Sequence, residues 1–427
     1  MTRSKLWVFG GAGAALVLGS FVVASAWKKK PPPDEKENVT VAAPSSTNPT
    51  ASAFLSRMLD AGPPRDSGPP AIIDAGTSAC RILSGPLQQP FTGPATLAAT
   101  ATGIDLVIHK NGIVKVLSFP AEPIASVKPT GRRSLDGTTD KASKPPCAVA
   151  GPFAFCSDAN GDIHRALRAQ ASDEVVAKAE PGARVGAAAF PGGHIGVAWL
   201  EARKTTEGRL SEAFMRVDDG PPVRISEDGA GATEFALAER NKEVIALFVD
   251  ARRAMTPLHA RPLTVSAAGK LGVGTDAVIY VGGGSDHQVL GALATNGKGS
   301  LFALIPTSSE DGFGLASVHV GSPPKIDEAH TFSLYPNGLD TAPVVATRSG
   351  AKMYVARVRP LTADPTASRV LELGRLDDAG TFTSLGLVPT NGSVKDVAVE
   401  ADGLGAIWLH YTDGVGSWLE RRVCADP

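Results

Sequence analysis

From Ala79 onward the chain reads as strand-length apolar runs parted by short polar turns, many of them carrying glycine. Runs of small residues come first in each cycle: "LAATAT" (97–102), "GAAAF" (186–190), "FALAE" (235–239), "VLGALA" (289–294), "VVATR" (344–348) and "VAVEA" (397–401). A bulkier, unbroken run follows: "DLVIH" (105–109), "FAFCS" (153–157), "IGVAWLE" (195–201), "EVIALFVD" (243–250), "SLFALIP" (300–306), "MYVARV" (353–358) and "AIWLHY" (406–411). A third, more amphipathic run comes next, as in "RLSEAFMRV" (209–217), "PLHARPLTV" (257–265) and "GLASVHV" (314–320), and a weaker fourth can often be drawn. The period of roughly 44–57 residues suits four-stranded propeller blades. Small side chains fit strands crowded about a central axis, and a continuous apolar run fits a strand covered on both faces by neighbouring blades. The pattern therefore predicts an all-β fold, a single β-propeller of about seven blades over residues 79–427, with six or eight if insertions such as 124–146 blur the boundaries.

Two segments precede it. Leu6 to Trp27 carries no charge and is bracketed by Trp7 and Trp27. Its roughly 22 residues meet the about 20 that a membrane-crossing helix needs. Residues 1–27 are thus expected to be a membrane anchor, with a cleaved signal peptide ending at "ASA" (24–26) as the alternative. The length of the run and the lysines at 28–30 favour the anchor. Residues 28–78, rich in Pro, Ala and Ser, read as a disordered linker.

The net charge of −1 argues against nucleic-acid binding, which favours a basic excess. Four cysteines with no CxxC spacing read as two disulfides and hence an oxidising compartment. The last repeat stops after three strands, and "ACRILSGPL" (79–87) can supply its outer strand, which sets Cys80 beside Cys424. A turn at Gly151–Pro152 sets Cys147 opposite Cys156. The globular part is accordingly expected in the periplasm or outside the cell, anchored in an inner membrane, or secreted if the first segment is cleaved.

Trp199-Leu-Glu201-Ala-Arg203 and Phe248-Val-Asp250-Ala-Arg252 share an aromatic-x-acid-x-Arg pattern, each followed by a strand bearing a further arginine, Arg216 and Arg261. The pattern resembles repeats of secreted bacterial propellers in the broad sialidase-like group. The resemblance implies structural turn roles for Glu201 and Asp250, whose carboxylates would accept turn amides. It does not bring the group's activity with it. "SEDGAGAT" (226–233) and "SSEDGFG" (308–314) approach the group's Asp-box turn without matching it, and the four tyrosines lack an acidic partner nearby in sequence.

"DANGDIH" places Asp158, Asn160 and Asp162 at alternate positions, as a calcium loop does, but Ile163 stands where that loop needs glycine; a hairpin turn is the preferred reading. "NGKGS" (296–300) fails the phosphate-loop spacing. No metal centre and no cofactor is expected. The turns between second and third strands should gather on one face and carry Arg203, Lys204, Glu207, Arg252, Arg253, Glu310 and Asp311, a mixed-charge set suited to a polar partner. The expectation is a membrane-tethered binding or scaffold module for a protein or glycan of the cell envelope. A glycan-processing hydrolase with a degenerate site is the alternative.

Overall fold

The computed structural model describes residues 79–110, 113–121, 140–141, 147–170, 173–205, 208–227, 231–250, 257–281, 292–296, 298–309, 312–324, 329–335, 343–361 and 368–425. They form seven antiparallel sheets, each a blade. Blade 1 has three strands, Thr96–Thr100, Gly103–Lys110 and Ile113–Pro120. Blade 2 runs Ala148–Ala150, Phe153–Ser157, Asp162–Leu167 and Asp173–Lys178; blade 3 runs Val185–Ala189, Ile195–Thr205, Gly208–Val217 and Val223–Arg224. Blade 4 comprises Ala232–Arg240, Glu243–Asp250 and Leu258–Val265, the last paired with both Leu271–Val273 and Ala277–Tyr280. Blade 5 is Ala292–Thr295, Leu301–Ser309, Gly312–His319 and Ala329–Tyr335; blade 6 is Val344–Ser349, Lys352–Pro360, Arg369–Leu376 and Phe382–Val388. Blade 7 contains Asp396–Ala401, Ile407–Thr412 and Ser417–Cys424, and its outer strand is Cys80–Gln88 from the other end of the domain. A short parallel pair, Phe91–Thr92 with Asp140–Lys141, lies outside the blades.

Each blade's first strand contacts the first strand of the next, and that of blade 7 contacts that of blade 1. The sheets therefore close into a ring, a seven-bladed propeller. Cys80 sits directly opposite Cys424 in the closing strand pair and is bonded to it; Cys147 is bonded to Cys156 across the first hairpin of blade 2. A three-strand blade completed by a distant segment makes opening the ring equivalent to stripping a whole strand.

The core explains the sequence pattern. Among the described residues the buried apolar side chains form seven clusters, one at each blade–blade interface. Side chains alternate across a strand, so a strand sandwiched between two blades must be apolar at every position. In blade 4, Val244, Ala246 and Phe248 face blade 3, while Ile245, Leu247 and Val249 face blade 5. Trp408 packs against blade 1, and its neighbours Ile407 and Leu409 against blade 6. The innermost strands bring Ala98, Ala188, Ala238, Ala294 and Ala398 toward the axis, where little room is left.

Among the described residues no helix is long and apolar enough to cross a membrane. The anchor expected at 6–27, the linker at 28–78 and most of the 124–146 insertion lie outside the described residues.

Candidate functional site

The polar residues of this propeller fall into three groups: those that shape turns, those that tie blades together and those left near an opening. The first group includes the calcium-loop candidate. Asp158 Oδ1 accepts the amides of Asn160 and Asp162, both at 2.8 Å. Burial works to raise the Asp158 carboxyl, but these amides and His164 together hold it below its usual value. Asn296, Asp377 and Asp402 take the amides two and four residues on in the same way. In all four turns a glycine follows three residues later, at φ 85° (Gly161), 89° (Gly299), 86° (Gly380) and 84° (Gly405), a left-handed conformation that glycine adopts without a Cβ clash. Asn160 is exposed, and Asp162 Oδ1 lies 3.6 Å from Lys178 Nζ. "DANGDIH" and "NGKGS" are thus two instances of one hairpin device.

Asp402 carries this device furthest. Beyond its turn amides, its Oδ2 accepts Trp408 Nε1 at 3.0 Å and Arg421 Nε at 2.7 Å. Burial opposes ionisation, but Arg421, Trp408 and the turn amide outweigh it, and the carboxyl stays below its usual range.

The second group corrects the expectation for Glu201. It lies inside the strand Ile195–Thr205, opposite Glu212, and not at a turn; the hairpin continues as far as Thr205 paired with Gly208. Its carboxylate meets Arg203, at 3.4 Å. Asp250 does end its strand and is fully buried, with its amide bonded to the Pro257 carbonyl. The trailing arginines join blades: Arg216 donates to the Val176 carbonyl of blade 2, and Arg261 of blade 4 donates to the Ser226 carbonyl, just past blade 3, at 3.0 Å. The acids that recur are glutamates of third strands, missed in the sequence. Glu212, Glu372 and Glu420 are each buried and each meets an arginine: Arg224 at 3.3 Å, Arg357 at 2.6 Å and Arg422 at 2.5 Å. Burial pushes the Glu372 carboxyl up, but Arg357 and Arg359 outweigh it and the net shift is downward. The signal was available as a lone Glu inside apolar strands, "RLSEAF", "VLELG" and "SWLER".

The third group lies at two places. Of the expected contact residues, Arg203 and Lys204 are described and lie on the ribbon of blade 3; Glu207, Arg252, Arg253, Glu310 and Asp311 lie outside the described residues. The Arg203 guanidinium is half exposed and sits 4.2 Å from the Phe214 ring centroid.

The other place is an open cleft of about 770 Å³ at the rim between blades 3 and 4, lined by Arg224, Ser226, Glu227, Arg261 and Leu271, among others. Beside it, Glu227, His259 and Asp276 come together from three segments, with one nitrogen or oxygen of each lying within 4.8 Å of the others. His259 Nδ1 is 2.6 Å from Asp276 Oδ2, and Arg261 Nε is 3.2 Å from Asp276 Oδ1. The ring of His259 stacks on Phe248, 5.0 Å between centroids and 12° between planes. The three residues stand 32 and 17 positions apart in sequence, which is why no motif marked them.

No protein-family model matches the chain, and no relative is found among curated proteins. Solved structures with a similar backbone include that of U3-55K, with 11% identity and a TM-score of 0.43 over 81% of this chain and 98% of that one. They also include a fucose-specific lectin from Aleuria aurantia, with 12% identity and a TM-score of 0.40 over 66% and 95%. A third is the soluble aldose sugar dehydrogenase from Escherichia coli, with 10% identity and a TM-score of 0.38 over 65% and 96%. What establishes the seven-bladed propeller is the set of seven sheets and the closed ring of first strands.

Proposed function

We propose that this propeller is a binding or scaffold module that presents the face of its second-to-third-strand turns to a protein or glycan of the cell envelope. The observation that carries the reading is the ribbon of blade 3. Its strands, of 11 and 10 residues, are the longest among the described residues. Near its tip it holds Arg203 half exposed over Phe214, with Lys204 exposed next to it. A guanidinium already ordered on an aromatic face loses less side-chain entropy when it meets a carboxylate, phosphate or sugar hydroxyl. In a propeller all second-to-third-strand turns lie on one face, because the first strands of successive blades run in the same direction. In the sequence, Glu207, Arg252, Arg253, Glu310 and Asp311 stand between the second and third strands of blades 3, 4 and 5.

The location is part of the proposal and rests on sequence: the uncharged run 6–27 would tether the chain to a membrane, and two disulfides suit an oxidising compartment outside the cytoplasm. The test is crosslinking and capture from native envelopes with the wild-type chain and the double variant Arg203→Glu, Lys204→Glu, alongside a glycan array. Partners or glycans held by the wild type and lost by the charge-reversed chain support the proposal. Identical capture by both chains overturns the assignment of the ribbon, and turnover of a glycan would replace binding with hydrolysis.

A further inference from the structure

We propose that Glu227, His259 and Asp276 form a binding site for a divalent first-row transition metal of the zinc type. Three observations converge on it. The donor set is one imidazole nitrogen and two carboxylates, the ligand chemistry of zinc and its neighbours; an imidazole disfavours calcium and magnesium, which take oxygen ligands. The spacing suits an ion. Zinc bonds of about 2.1 Å in a tetrahedral arrangement put ligand atoms about 3.4 Å apart, and these donors lie within 4.8 Å of one another, the closest pair 2.6 Å apart. Small side-chain rotations are enough to seat the ion.

The third observation concerns His259 itself. Its side chain is 2% exposed and its Nδ1 faces Asp276 Oδ2 at 2.6 Å, so the buried imidazole is held with one nitrogen toward a carboxylate. An ion held by all three residues sits on Nδ1, the nitrogen that faces Asp276, and replaces that hydrogen bond.

The site is also held in place. Arg261 donates to the Ser226 carbonyl, next to Glu227, and lies 3.2 Å from Asp276, so one guanidinium ties two of the three ligand segments together. Phe248 fixes the imidazole plane. Glu227 and Asp276 bring two carboxylates to the site, with the Arg261 guanidinium 3.2 Å from Asp276. Glu227 lines the open cleft, which gives the ion a way in and leaves a fourth coordination position for water or a ligand oxygen. Blade 2 repeats the histidine–aspartate pair as His164 and Asp173, 3.1 Å apart, with Asp158 3.7 Å from the other ring nitrogen; among the described residues only Glu227, His259 and Asp276 gather within 4.8 Å of one another.

The proposal is independent of the Arg203 ribbon, and the two fail separately. The experiment strips the full chain with chelator, then titrates it with ZnCl2 by calorimetry and with CoCl2 by visible absorption. The expected result is one ion per chain, a cobalt d–d band, and at least a tenfold loss of affinity in Glu227→Gln and in His259→Asn. Glu227→Gln changes a residue at the cleft edge and keeps the test valid should the buried histidine variant fail to fold. Absence of uptake by the folded wild type at millimolar metal, or undiminished binding by folded Glu227→Gln, overturns the proposal.

Discussion

His410 makes the stability of this propeller depend on pH in a calculable way. It sits in the second strand of blade 7, between Ala398 and Leu419 on the flanking strands, and stacks on Phe91 at 5.5 Å. It is fully buried, and neither ring nitrogen has a hydrogen-bond partner among the described residues. Burial lowers its pKa from 6.5 to about 3, so it is neutral in the folded protein at any ordinary pH. The folded value lies below the unfolded one, so as pH falls the unfolded chain takes up this proton first. The stability is fully present above pH 6.5 and is lost progressively as pH falls toward about 3. Each unit is worth about 1.4 kcal/mol, which gives a loss of about 2 kcal/mol at pH 5. The assay is urea unfolding near pH 7.5 and pH 5 for the wild type and His410→Phe, which keeps the stack on Phe91 and cannot titrate. Glu400 and Glu420, raised by burial, shift stability the other way as they protonate, but they are present in both proteins and cancel in the comparison. The wild type should lose about 2 kcal/mol more than the variant between the two conditions. Equal losses, or an imidazole proton resonance for His410 that titrates near its ordinary value, would refute the burial argument.

Asp402→Ala should be severe, about 3–5 kcal/mol in an unfolding titration, because it removes the acceptor of two turn amides and Trp408 and leaves the buried Arg421 without its carboxylate. Glu201→Gln should cost under about 1 kcal/mol, since it breaks only a half-exposed pair with Arg203; a loss as large as that of Asp402→Ala would restore a clamp role to Glu201. Replacing Cys80 and Cys424 by serine frees a closure 344 residues apart in sequence and should lower stability by up to about 5 kcal/mol, with exchange protection lost first in the Cys80–Gln88 strand. Unchanged unfolding midpoints with and without reductant would contradict it.

The ring itself was legible in the chain, to about seven blades with six and eight left open, and so was the way it closes. Alternation, small-residue strands and a repeat length are local properties, and "EVIALFVD" could only be a strand covered on both faces, since each of its successive side chains needs an apolar neighbour. Four cysteines and an incomplete last repeat carried enough geometry to place Cys80 opposite Cys424. The functional groups were less legible. The acid-x-Arg pattern at Glu201 drew attention because it recurs in sequence, yet the recurring buried acids are Glu212, Glu372 and Glu420, whose arginine partners include residues on other strands. Glu227, His259 and Asp276 stand in separate segments of two blades and become neighbours only when blade packs on blade. Periodicity survives in the order of residues because each strand meets its own hydrophobic environment position by position. Proximity across blades depends on how sheets twist and stack, and no spacing along the chain records that.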